Sequence, residues 1–239
     1  MRYTVPALLF VLCVPMLHAQ DLPDSETVLA AVKANWERIE DYEVQMEMSV
    51  DIPGFRMPRR NVHYLYKAPD KVKVDVQGFA VVPKEGIQPF ARFFDHDMDL
   101  EVTNAVESDG KMLYEVVFRD TFATQEARIT LLVDLENGTV PRGTANVDSV
   151  DFFRTVTRYE EVEPNIWLPV RSEIQLTLPP DFKRMQQFGK MPTEVRDLDA
   201  QIKANPEDIR GFITLIFKKY KVNRGIPDWV FEEEEEGYE

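Results

Sequence analysis

The chain has 239 residues, 44% of them hydrophobic, a formal net charge of −14 and a single cysteine. That apolar fraction suffices for a buried core and excludes global disorder. So acidic a balance repels phosphate backbones and argues against nucleic-acid binding, and Cys13 on its own allows no internal disulfide.

Residues 1–19 carry one charge, Arg2, then an apolar stretch from Val5 to Leu17, and end in His18-Ala19. This is the pattern of a cleavable secretory signal, with cleavage expected after Ala19. It is too short and too proline-containing for a membrane anchor. Leu12 precedes Cys13 where a lipoprotein leader needs a small residue, so lipidation there is not expected.

Asp24 or Ser25 caps a predicted helix running to about Glu40, with Leu29, Val32, Trp36 and Ile39 on one stripe. The first strand follows: Tyr42, Val44, Met46, Met48, Val50 and Ile52 alternate with polar residues until Pro53-Gly54 turns the chain. Asn61–Lys67 and Lys71–Val76 form the next pair of strands across Ala68-Pro69-Asp70, with Val62, Tyr64 and Tyr66 inward and His63 outward. From Gly78 to Asp97 the alternation stops. Pro89–Phe94 reads as a short helix with an aromatic face that includes Phe90 and Phe93, a candidate flap hinged at Gly78 and Gly86.

Strands resume with Met98, Leu100 and Val102, then Val106, and turn at Asp109-Gly110 into Met112, Tyr114, Val116 and Phe118. Ile129–Leu135 ends at Glu136-Asn137-Gly138, a second hairpin signal. Phe152–Val162, Ile166–Val170 and Ile174–Leu178 follow. Residues 179–209 are polar and rich in proline, with a surface helix predicted over Pro192–Ala204, and read as an insertion. Gly211 opens a last strand to Val222 that is apolar on both sides and so is expected to be covered on both faces. Residues 232–239 form an acidic, solvated tail. The expected organisation is thus a leader at 1–19, a single domain at 20–231 with the 179–209 insertion, and the tail.

The chemistry-bearing residues give no catalytic signature. There is no Gly-x-Ser-x-Gly, phosphate loop or Cys–His pair. Asp95-His96-Asp97 lacks a second histidine at ligand spacing, so neither metal nor cofactor is expected. The unusual feature is an inner face bearing Met46, Met48, Met98 and Met112 with Tyr64, Tyr66, Tyr114 and Phe118. Methionine is flexible and polarizable and suits a surface that repacks around varied apolar guests. The same stripe also fits a plain structural core. About nine strands with few helices leave more inner surface than one helix covers, which implies a ligand, lid or partner.

The order of leader, amphipathic helix and long strands, with Tyr64-Leu-Tyr-Lys-Ala-Pro-Asp-Lys71, Phe217-Lys-Lys-Tyr-Lys-Val-Asn223 and Gly225-Ile-Pro-Asp-Trp-Val-Phe231, resembles the outer-membrane lipoprotein carrier and sorting proteins of the LolA/LolB-like superfamily. The resemblance covers about residues 24–178 and 211–231; the 179–209 insertion and the tail fall outside it. It implies an α+β, mainly β fold: a curved antiparallel sheet forming an incomplete β-barrel lidded by the N-terminal helix and short helices. It also implies a non-enzymatic periplasmic protein whose cavity takes the acyl chains of lipoproteins or other lipids, with membrane transport proteins as further partners. The residues expected to meet lipid are Trp36, Met46, Met48, Tyr64, Tyr66, Phe90, Phe93, Met98, Met112, Tyr114 and Phe118. Three other readings compete with a carrier: an envelope sensor of the same fold acting through a membrane partner, an enzyme using a carboxylate pair, and a purely structural envelope protein.

Overall fold

The computed structural model describes residues 22–52, 55–76, 100–122, 125–147, 150–178 and 209–232. The leader, the Pro53-Gly54 turn, the 78–97 flap with Phe90 and Phe93, Met98, the helix predicted over Pro192–Ala204 and the acidic tail all lie outside the described residues.

Among these residues one helix, α1 (Ser25–Trp36), precedes ten strands: β1 (Asp41–Ile52), β2 (Phe55–Lys67), β3 (Lys71–Val76), β4 (Glu101–Ser108), β5 (Lys111–Phe122), β6 (Gln125–Asp134), β7 (Thr139–Val147), β8 (Val150–Glu163), β9 (Ile166–Leu178) and β10 (Ile209–Val222). A 3₁₀ turn, Asp228–Phe231, follows. All ten strands belong to one sheet in the order β3-β2-β1-β10-β9-β8-β7-β6-β5-β4. Each neighbouring pair is antiparallel. Strands β3 and β4 are consecutive in the chain yet form opposite edges, so the sheet is an open, incomplete barrel. Leu178 and Ile209 are paired, so the chain leaves and re-enters the sheet at one point around residues 179–208.

Alternation builds the strands. Tyr42, Val44, Met46, Met48 and Val50 of β1 are all buried, while Gln45 between them is exposed. In α1, the Asp24 carboxylate accepts a hydrogen bond from the Thr27 N–H at 2.6 Å and so caps the helix as predicted. The helix stops at Trp36 instead of reaching Glu40: the Ile39 N–H bonds back to the Trp36 carbonyl, and the chain turns so that Ile39 enters the core. The buried stripe is accordingly Val28, Val32 and Asn35, with Leu29 and Trp36 partly covered.

The core has two lobes. One joins Ile39, β1, β2, β9 and β10 through Tyr42, Met46, Met48, Tyr64, Leu168, Leu215 and Phe217. The other joins α1 to β5, β6 and β7 through Val28, Val32, Val116, Phe118, Leu131 and Val133. Trp36 packs against both. Asn35 ties the helix to β9: its side-chain Nδ2 donates to the Trp167 carbonyl at 2.9 Å, and its Oδ1 accepts from the Trp167 N–H at 3.0 Å. Those two backbone groups are thus paired as a strand would pair them.

Two expectations need correction. The last strand is not covered on both faces. Phe212 is 50% exposed and Thr214 and Ile216 are half-buried, because they lie on the face opposite the core. There are ten strands where about nine were expected, the addition being β7. Its register slips against β6 between Leu132 and Asp134, so Val140 turns into the core on the same side as Ala145. The slip erases the simple alternation that would have revealed the strand.

Candidate functional site

Cross-strand register defines the inner face row by row. Residues paired at Cα project to the same side of a sheet. One row runs through eight strands as Val50, Ile213, Ile174, Thr155, Gly143, Leu131, Val116 and Val102. A parallel row holds Leu176, Phe153, Ala145, Ile129 and Phe118. A third holds Arg60, Met48, Leu215, Ser172 and Thr157. The face is therefore mainly apolar at both flanks, with Arg60 at the β2 end of the third row, and lined by small or hydroxyl side chains at its centre.

This face is larger than α1, the helix that packs on it among the described residues. The 12 residues of α1 make a rod ~18 Å long. Strands of 12 to 14 residues such as β1 and β10 run ~40–46 Å. Ten strands side by side span ~43 Å. The helix lies at one end, near the β6–β7 turn. There an added Cβ on Gly138 would come within 2.3 Å of the Ala31 carbonyl. The rows through Thr155 and Phe153 lie farther along the strands from that turn.

The predicted residues occupy this face in two ways. Met46, Met48, Tyr64 and Phe118 are fully buried, the first three in the first lobe and Phe118 in the second. Trp36, Tyr66, Met112 and Tyr114 are half-buried. Tyr66 and Tyr64 form an aromatic group with Tyr42 and Tyr220, with ring centroids 5.3 to 6.0 Å from Tyr42. Its hydroxyls are satisfied locally: Tyr66 donates to the Pro69 carbonyl at 3.0 Å and Tyr220 to the Pro169 carbonyl at 2.7 Å. Burial, reinforced by the neighbouring tyrosines, pushes the Tyr42 phenol well above its ordinary value and holds it neutral. Tyr114 is the cross-strand partner of Val133 and Ala105, and Met112 of Glu107, so both approach the β4 edge.

Sequence reading missed the polar members. Arg60 stands opposite Met48, and its Nε is buried with no hydrogen-bond partner among the described residues. Thr157 and Ser172 pair their hydroxyls at 3.0 Å. Thr155 is 3% exposed, and its Oγ1 has no partner among the described residues. The signal was available in Phe153-Arg-Thr-Val-Thr-Arg158, but Val156 sits on the polar phase there and is itself 49% exposed, which blurs the two faces.

The opposite face is ionic. His63 lies 3.5 Å from Glu43 and 3.9 Å from Asp75, and Lys218 bonds Glu47 at 2.6 Å. A hydrogen bond from Lys221 holds the Glu43 carboxyl below its usual range, with His63 adding to the effect. A cleft of about 630 Å³ is lined by Gln45, Glu47, Asn61, His63 and Lys218 of this face together with Met46, Arg60 and Val62. Its charges are largely paired across strands, which makes it a solvated sheet surface. Among the described residues no cluster of histidine, cysteine and carboxylate side chains could hold a metal ion. No helix among them is long and apolar enough to cross a membrane.

Solved structures share this architecture. A domain assigned to outer membrane lipoprotein sorting from Vibrio parahaemolyticus is similar with a TM-score of 0.56 at 10% identity, over 87% of this chain and 97% of that one. A LolA superfamily protein from Nitrosomonas europaea gives a TM-score of 0.53 at 12% identity, over 89% and 99%. A DUF1329 family protein from Desulfovibrio piger gives 0.56 at 12% identity, over 87% and 96%. The chain thus has the LolA/LolB-like fold that its sequence resembles. No protein-family profile matches the sequence, and no curated protein matches it.

Proposed function

We propose that this protein is a non-enzymatic carrier of the cell envelope that holds the acyl chains of lipoproteins or other lipids on the inner face of its open sheet. The observation that carries this reading is that, among the described residues, one ~18 Å helix packs on an inner face whose longest strands run ~40–46 Å. The likeness to a lipoprotein-sorting domain supports it. The export leader read in residues 1–19 fits a periplasmic site of action.

In this reading Met46, Met48, Tyr64 and Phe118 form the floor, and Trp36, Tyr66, Met112 and Tyr114 meet the ligand directly. Each methylene removed from water contributes about 0.8 kcal/mol, so an acyl chain of about 14 carbons supplies ~10 kcal/mol before the costs of ordering it. That is enough to extract a chain from water and small enough to permit its release to an acceptor.

The test is native mass spectrometry of protein purified from the periplasm, with organic extraction of whatever it carries. A near-stoichiometric lipid supports the proposal. A bare protein that also takes up no fluorescent acyl probe overturns it and returns the inner face to an ordinary core.

A further inference from the structure

We propose that the Thr155 hydroxyl is the polar anchor of the inner face, donating a hydrogen bond to the carbonyl oxygen of an acyl ester or amide. This rests on the acyl-binding reading and specifies which part of the ligand lies at the centre of the sheet.

Thr155 occupies the middle of the eight-strand row, with Ile174 on one side and Gly143, then Leu131, on the other. Its Oγ1 is withdrawn from solvent and has no hydrogen-bond partner among the described residues. The nearest hydroxyls along the strands, Thr157 and Ser172, are engaged with each other at 3.0 Å. Across the β7 pairing, Gly143 contributes backbone alone. A buried hydroxyl without a partner is destabilising, and valine would fill the same shape among Ile, Leu and Val without that cost. The hydroxyl therefore calls for a partner supplied from outside the protein.

The surroundings define that partner. It must accept a hydrogen bond, because the threonine has a proton to give. It must be uncharged, because the row through Thr155 carries no cation to compensate a carboxylate or a phosphate. It must continue into hydrocarbon on either side, where Ile174, Ile213, Leu131 and Val116 line the row. An ester or amide carbonyl attached to an alkyl chain meets all three conditions.

The experiment compares monopalmitoylglycerol with 1-O-hexadecylglycerol, the ether that lacks only the carbonyl, by isothermal titration below their micellar concentrations. The wild-type protein should bind the ester about tenfold more tightly, equivalent to about 1.4 kcal/mol. Thr155→Val should erase the preference by weakening the ester alone, and Thr155→Ser should keep it. Urea unfolding of Thr155→Val should be as late as wild type or later, because the substitution removes an unsatisfied group and keeps the volume. A preference that survives in Thr155→Val, a wild type that binds both ligands equally, or a marked loss of stability in Thr155→Val would each overturn the anchor while leaving acyl binding intact. A wild type that binds neither ligand overturns the acyl-binding reading together with the anchor.

Discussion

The contact between α1 and the β6–β7 turn can be measured by comparing two turn glycines. Gly110 and Gly138 both have positive φ, +76° and +61°. Nothing lies within 4 Å of a Cβ built on Gly110, whereas one on Gly138 would meet the Ala31 carbonyl oxygen at 2.3 Å and the Asn35 Cβ at 3.0 Å. Gly110→Ala should cost only the left-handed backbone penalty, about 1–2 kcal/mol. Gly138→Ala bears that penalty plus the displacement of a packed helix backbone, worth a further ~1–3 kcal/mol as overpacking. A total of ~2–5 kcal/mol is expected, and helix movement should weaken the Asn35–Trp167 hydrogen bonds as well. Asparagine tolerates positive φ but still carries a Cβ, so Gly110→Asn should be nearly neutral and Gly138→Asn nearly as harmful as alanine. Urea denaturation followed by far-UV circular dichroism reads all four variants. Equal losses in the two alanine variants would refute the reasoning, because the helix would then exert no steric demand on the turn.

Two further outcomes follow from buried polar groups. Asn35→Ala leaves the Trp167 N–H and carbonyl unpaired in a site where Asn35 is 1% exposed. It should lower stability by roughly 2–4 kcal/mol, and a loss under 1 kcal/mol in urea melts would show that these bonds do not hold the helix. The buried Tyr42 phenol titrates above its ordinary value. A raised folded pKa means that its contribution is complete below about pH 10, where the unfolded phenol titrates, and declines as pH rises beyond that. Tyr42→Phe should therefore flatten the alkaline loss of stability between about pH 10 and 12. Parallel curves for wild type and variant would rule out Tyr42 as a contributor.

Much of the architecture was legible because a sheet with one wet face writes a period of two into its sequence. The inward phase of β1, the inward Tyr64 and Tyr66, the outward His63, the Asp24 cap and the hairpin turns at Asp109-Gly110 and Asn137-Gly138 all come from local rules of side-chain direction and turn geometry. Such rules need no knowledge of distant partners. Strand β7 escaped them because its register slip moves Val140 into phase with the core, and a slip is a property of a strand pair. The outward Phe212 escaped for a similar reason: β10 is apolar on both sides, and only the location of the core tells which side is covered.

The sequence by itself determined nine of the ten described strands and the inward phase of most of them. Tertiary structure decided that β1 closes onto β10 while β3 and β4 become the two edges of the described sheet, because that choice rests on pairings between residues far apart in the chain. It also decided which residues meet across the sheet. Thr155 reads as an ordinary strand threonine until the two neighbouring strands place it between Ile174 and Gly143 at the centre of a hydrocarbon row, with a buried hydroxyl that has no partner among the described residues.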